Sequence, residues 1–392
     1  MLPTGALVIA STASLLLTPD RGFLPAEDPS RALPPAFSAW DQIGAELPKL
    51  LAAGRVRAAL ERLPRADVAA LPTPPDLERA MLLLSFFGHA YVWGESPPAR
   101  SIPASLAVPW AEAARRLGRP PVLSYASYAL HNWRRLDAAG PIRLGNLALL
   151  QNFLGGVDEE WFILVHVEIE ARAAPALAGI VEAQQAAADD DASGLERALG
   201  RIAAALDAVN ATMARMPEHC DPYVYYNRVR PYIHGWNHHP ALPDGLLYEG
   251  VAAFGGAPQK FRGETGAQST IVPSLDAALG IGHKPDILRE YLEEMRRYVP
   301  PAHRAFVESI ERGPSVRARI VRGGEPALRD AYNACIVGLE RFRAKHFEYA
   351  ARYIHQQSQH DPANPTQVGT GGTPFMPYLG KHLSETGEHL IR

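Results

Sequence analysis

The chain has 392 residues, 47% of them hydrophobic, with 39 basic against 42 acidic side chains and a formal charge of −3. That size and apolar content are enough for one large or two medium cores. The near-neutral charge balance leaves no footprint for nucleic acid or a membrane surface. The two cysteines, Cys220 and Cys335, exclude a disulfide framework and a cysteine-rich metal or iron–sulfur centre, and they fit a reducing cytoplasm.

In chain order, an apolar run from Gly5 to Leu17 comes first. It has no basic residue ahead of it, Arg21 being the first. It is too short to span a bilayer, so it reads as an N-terminal segment rather than a signal. Apolar periodicity then predicts helices over 41–62, 76–93, 109–117, 124–136, 142–154, 159–186, 194–215, 284–297, 301–312 and 326–357. Asp76 ahead of LERAMLLLSFFGHAYVW and Ser193 ahead of GLERALGRIAAALDAVNATM are the expected N-caps. Strand alternation of useful length is missing, with VYYNRV (224–229) the one ambiguous run, so the expected class is all-α.

LPTPPD (71–76) and ESPPARSIPAS (95–105) read as loops between helices, and LGRPPV (117–122) as a linker. Residues 237–275 and 356–374 are long irregular stretches. Such stretches are uncommon in a compact chain and often functional.

Of the 14 histidines, His238 with His239 and His355 with His360 form no HExxH or comparable ligand set and read as surface residues. His166, inside WFILVHVEIE, reads as a buried helix histidine. GLERFRAKHFEYAARYIHQ (338–356) carries an apolar stripe of Leu339, Phe342, Tyr349, Ala350 and Tyr353, and His346 falls on it. Arg343 lies three residues earlier, on nearly the same face. A neutral imidazole facing an apolar cavity is what a haem iron needs as axial ligand, and an adjacent arginine suits a propionate.

Eight stretches, in order, resemble the indoleamine 2,3-dioxygenase family: AYVWG (90–94), RPYIHGW (230–236), GLLYEGV (245–251), FRGETGAQST (261–270), MRRYVPPAHRAFVESIERGPSVR (295–317), LRDAYNAC (328–335), RFRAKH (341–346) and GTGGT (369–373). The resemblance implies an all-helical fold, with a small N-terminal helical domain (1–120) capping a large haem-binding domain (121–392). The larger domain would include a mobile loop at 356–374. It implies haem b as cofactor, O2 as co-substrate, and cleavage of the indole C2–C3 bond of L-tryptophan to give N-formylkynurenine, the first step of the kynurenine pathway. It implies a cytoplasmic monomer or weak homo-oligomer whose partner is a small indole, with no nucleic acid and no membrane.

Residue by residue, the resemblance makes His346 the proximal iron ligand and Arg343 the arginine on the propionate side. Arg230 becomes the carboxylate clamp and Thr370 the threonine of the mobile loop. Thr265 and Gly266 fall over the sixth-coordination side, and Tyr125, in VLSYASYAL, on the pocket wall. Tyr225 and Tyr226 stand at two distal positions that are phenylalanine in the mammalian enzymes, which makes the pocket more polar. His166 has two readings, a distal residue near the indole N–H or a core residue. Two further functions stay open at this stage: a superfamily haem enzyme acting on a substituted indole in secondary metabolism, and a low-turnover haem sensor.

Overall fold

The structure is a computed structural model and describes residues 20–284, 287–359 and 376–392. The predicted helix 41–62 is two, α1 (Ser38–Ala52) and α2 (Val56–Leu60), divided where Gly54 takes a φ of +60°. Only glycine adopts that conformation without strain. α3 (Pro74–Trp93) starts at Thr73 rather than Asp76: the Thr73 hydroxyl accepts from the Asp76 N–H, and Pro74 presets the first turn. Its residues from Met81 to Ala90 are all buried, Ser85 and His89 among them, so the helix is enclosed on every side rather than amphipathic. α4 (Ala104–Leu117) packs across it, with Trp110 seated over Gly88.

Two of the expected helices are absent. Residues 126–130 form a single π-helical turn, and the chain then enters short strands. β1 (Ser101–Ile102) is parallel to β4 (Leu247–Tyr248), and β2 (Trp133–Arg135) is antiparallel to β3 (Leu147–Leu149) with Trp133 opposite Leu149. The physical reason is Asn132. Its amide donates to the Gln151 carbonyl and accepts from the Gln151 N–H, both at 2.8 Å, so a side chain closes the hairpin as a backbone pair would.

α5 (Val157–Ala188) and α6 (Ala192–Met213) pack along one another. Asp191, not Ser193, caps α6, accepting from the Gly194 N–H at 2.9 Å. The ambiguous VYYNRV is helical: Pro222–Val224, a π turn over Tyr225–Val229 and Arg230–Ile233 run on continuously. Then come α7 (Ile271–Leu279), α8 (Ile287–Met295), α9 (Pro301–Arg312), α10 (Val316–Gly323), α11 (Pro326–Ala350) and α12 (Met376–Gly387). α7, α10 and α12 were not expected from the sequence. α11 lies against α6 on one side and α12 on the other, and continues through a π turn to His355. The all-α class holds, and no described helix is long and apolar enough to cross a membrane.

Candidate active site

α11 buries Leu339, Arg343, Tyr349 and Ala350, and the following turn buries Tyr353. His346 breaks that pattern: its ring is accessible. Yet enough protein surrounds it that burial, then the nearby His166 and Arg343, push its pKa down to about 4. The ring makes no hydrogen bond to the described residues, and the aromatic ring beside it is Phe342, 6.5 Å between centroids. It is therefore a neutral imidazole with a lone pair to offer.

His166, on α5, is near enough for its charge to bear on His346. The His166 Nδ1 is 2.7 Å from the Phe162 carbonyl, one helical turn back. A carbonyl only accepts, so Nδ1 carries the hydrogen and Nε2 the lone pair. Burial lowers the His166 pKa, which keeps the ring neutral. Aromatic rings continue from it in both directions. Tyr125 meets it edge-on at 6.0 Å and Phe162 lies at 4.7 Å; Tyr225 lies 4.6 Å from Phe162, and Tyr353 5.9 Å from Tyr225.

Arg230 is fully buried at the head of a helical turn, its guanidinium 5.4 Å from the Tyr226 ring centroid. Burial lowers its pKa, and a guanidinium keeps its charge regardless. The 261–270 segment packs directly on the chain that follows Arg230. Glu264 N–H donates to the Ile233 carbonyl at 3.1 Å, and Gly263 and Gly235 touch so closely that a Cβ on either would fall 2.2 Å from the other segment's backbone. Gln268 clamps the loop to the pocket wall, accepting from the Tyr125 N–H at 2.9 Å and donating to the Gly263 carbonyl at 3.0 Å. Thr265 caps the short turn Gly266–Gln268, and a Cβ on Gly266 would meet nothing within 4 Å. That side of the loop therefore faces open space.

Two buried carboxyls belong to this neighbourhood. Burial pushes Glu264 up to about 8, and its charge bears on Tyr125, Tyr128 and Tyr225. Glu170, one turn after His166, accepts from the Tyr125 hydroxyl at 2.9 Å and the Ser269 hydroxyl at 2.8 Å. Burial pushes it up to about 7.

Arg343 faces a different set of partners. It donates to Asp276 of α7 at 2.7 Å and to Thr386 of α12. His283 bridges Glu385 at 2.7 Å and Asp276 at 3.4 Å, and its ring stacks on His382 at 3.9 Å. His283, His382 and Glu385 are the one grouping of metal-ligand type among the described residues. The Arg343 cation 3.4 Å from His283 Nε2 opposes a metal ion there, and both His283 nitrogens already face carboxylates. The cluster is a charge-paired brace that ties α12 and α7 to the turn of α11 before His346.

The structure thus brings together His346, His166, Tyr125, Tyr225, Tyr226, Arg230, Thr265 and Gly266, with Arg343 one turn from His346. Thr370 and the rest of GTGGT lie outside the described residues, as does His360. His239 lies against Trp93, tilted, at 4.4 Å between ring centroids, and His238 holds a φ of +54°. A polar hollow of about 520 Å³, walled by Asp137, Arg143, Glu168, Arg172 and Arg215, touches none of the expected site residues. Sequence reading missed Phe162, Glu170, Glu264 and Gln268. None of the four carries a local signal that sets it apart from an ordinary core ring or surface polar residue.

The model of the family described as indoleamine 2,3-dioxygenase matches residues 12–389. The chain belongs to the indoleamine 2,3-dioxygenase family. It is 37% identical over 376 residues to indoleamine 2,3-dioxygenase 1 of Rattus norvegicus, covering 93% of this chain and 92% of that one. It is 34% identical over 394 residues to indoleamine 2,3-dioxygenase 2 of Homo sapiens, with 97% and 96% covered. Indoleamine 2,3-dioxygenase acdA of Aspergillus candidus is 31% identical over 378 residues, with 93% of each chain covered. Membership makes this an oxidoreductase of the haem dioxygenase class. The residues present fit the indoleamine dioxygenase cofactor: a neutral imidazole with no hydrogen-bond partner among the described residues is a donor suited to a haem iron.

Proposed function

We propose that the protein is a cytoplasmic tryptophan dioxygenase that converts L-tryptophan and O2 to N-formylkynurenine. The observation that carries this reading is a run of contacting rings, Tyr125, His166, Phe162 and Tyr225, close to a fully buried arginine, with the charge of His166 bearing on His346. His346 would hold the haem iron and Arg343 would serve the propionate side, Arg343 being braced by Asp276. When bound, haem supplies the site at which O2 is activated. Residues 121–392 form the catalytic domain, with 1–120 as its cap.

The rest is the work of the chain's own side chains. Arg230 pairs with the substrate carboxylate, a charge-assisted contact strengthened by its dry surroundings. Tyr125, Phe162 and Tyr225 present ring faces and edges to the indole. His166 accepts the indole N–H at Nε2, because its Nδ1–H is already committed to Phe162. A donor and an acceptor at opposite ends of the substrate fix its orientation before reaction. Thr265 and Gly266 border the side where O2 enters, and Thr370, with the glycines around it, closes over the substrate and excludes water.

The test is one assay on haem-loaded, reduced protein given L-tryptophan and air. A product heavier by two oxygen atoms, with N-formylkynurenine absorbance, is expected; haem-replete protein that leaves tryptophan untouched rejects the substrate assignment. A second reading, a substituted indole, is favoured by the phenols of Tyr225 and Tyr226 and the carboxyl of Glu264 in the same neighbourhood. It predicts higher kcat/KM for a ring-substituted tryptophan than for tryptophan, and reversal of that order in Tyr225→Phe/Tyr226→Phe.

A further inference from the structure

Glu170 has no place in the chemistry described above, yet its setting is unusual. It is 1% exposed. One oxygen, Oε1, takes both of its hydrogen bonds, from Tyr125 and from Ser269. The other, Oε2, is buried with no hydrogen-bond partner. The two donors come from different elements: Tyr125 from the segment leading into the π turn, Ser269 from the loop that carries Thr265 and Gly266. A single carboxyl oxygen therefore ties the ring wall and the loop to α5, one helical turn from His166.

We propose that Glu170 is a positioning residue: it holds Tyr125 and the 261–270 loop in register through one shared oxygen, and its gain or loss of a proton sets how firmly. This deepens the proposed function and rests on it only for the identity of the substrate. Two donors on an ionised oxygen are charge-assisted, and both weaken when the carboxyl is neutral. Burial and the bare Oε2 favour the neutral acid for as long as α5 keeps the carboxyl buried, whether or not the loop is held; the Ser269 and Tyr125 bonds favour the ionised form only while they are made, so loss of the proton strengthens the hold. The surrounding titratable and charged groups are few. His166 precedes Glu170 on α5, Glu168 and Arg172 pair with each other beside it on that helix, and Glu264 bears on the same Tyr125 phenol from the loop. Asp276 of α7 is engaged by Arg343. None of these charges bears directly on Glu170, which is governed by burial and its two donors.

The hold is read without substrate by hydrogen exchange over 261–270 in the haem-loaded protein, wild type against Glu170→Gln, at matched pH. Glutamine copies the neutral acid in shape and charge, so the fold is retained. We expect the wild-type loop to be about three- to tenfold better protected than E170Q at pH 8, the difference between a charge-assisted and a neutral bond from Ser269. At pH 6 the two should coincide. Glu264→Gln should keep the wild-type pH dependence, and Ser269→Ala should lower loop protection at pH 8 to that of E170Q, with Ser269→Ala/Glu170→Gln no lower than either single variant and kcat little changed by E170Q. Equal protection of wild type and E170Q at pH 8 overturns the proposal, as do additive losses in the double variant. A pH-dependent hold in a protein that does not bind tryptophan leaves the positioning role standing and rejects the substrate.

Discussion

Replacing Arg230 tests the substrate pose most directly. The guanidinium is fully buried, so its bonds to a carboxylate form out of competition with water. A hydrogen bond to a charged group contributes about 1.5–3 kcal/mol, and a guanidinium can present two to one carboxylate. Their joint loss is about 3–6 kcal/mol, and at about 1.4 kcal/mol per tenfold that is a factor of roughly 10² to 10⁴ in kcat/KM. Water entering the truncated site offsets part of it, so Arg230→Ala should fall about 10²- to 10³-fold, mainly through KM. Arg230→Lys keeps the charge without the fork and should lie between. Arg230 also stacks on Tyr226, a contact worth about 0.5–2 kcal/mol to the fold, so urea midpoints should accompany the kinetics. The assay compares L-tryptophan with tryptamine, which lacks the carboxylate. Wild type should prefer tryptophan by nearly the factor that R230A loses, and R230A should scarcely discriminate. A preference for tryptophan unchanged in R230A would refute the clamp.

Three further outcomes are expected. His346→Ala should purify folded with its haem absorbance largely lost; an unaltered haem spectrum would reject the axial assignment. Gly235→Ala would set a Cβ 2.2 Å from the Gly263 nitrogen, a contact only backbone movement relieves, and should cost about 1–3 kcal/mol by urea midpoint while raising KM. Glu159, which accepts from the Phe153 and Leu154 N–H groups, is pushed up by burial from 4.5 to about 7. Its raised folded pKa means its contribution is fully present below pH 4.5 and is lost as pH rises through 7, by roughly 3 kcal/mol. Urea midpoints between pH 4.5 and 8 should therefore fall less steeply in Glu159→Gln than in wild type. Parallel slopes would show that the residue does not titrate in that window.

Long periodic segments were the most legible in the sequence. α9 matches its expected bounds, and α3, α5, α6 and α11 begin within a few residues of them. Residues 124–136 and 142–154 misled because their apolar residues are buried by a hairpin that Asn132 closes through its side chain, a tertiary contact with no local signature. α7 was hidden inside a stretch read as irregular up to 275, its first turn carrying Pro273 and its end set by Gly280 at φ +68°. Of the site, His346 and Arg343 were visible as a departure from an apolar stripe, whereas Arg230, Thr265 and Gly266 became legible only through family resemblance. Glu170 and Glu264 were not legible at all, since an acidic residue looks the same in sequence whether it meets water or Tyr125.

The contact between Gly235 and Gly263 also limits how this pocket can be reshaped. Two lengths of backbone lie there with no side chain between them, one leading from Arg230 and the other into Thr265. An inserted residue in 261–263 would displace the arginine along with the loop, so grafting a relative's loop alone would carry the wrong register. Room for a bulkier indole is better sought in the size of side chains at 225, 226 and 264, which can be varied singly while the two backbones keep their alignment.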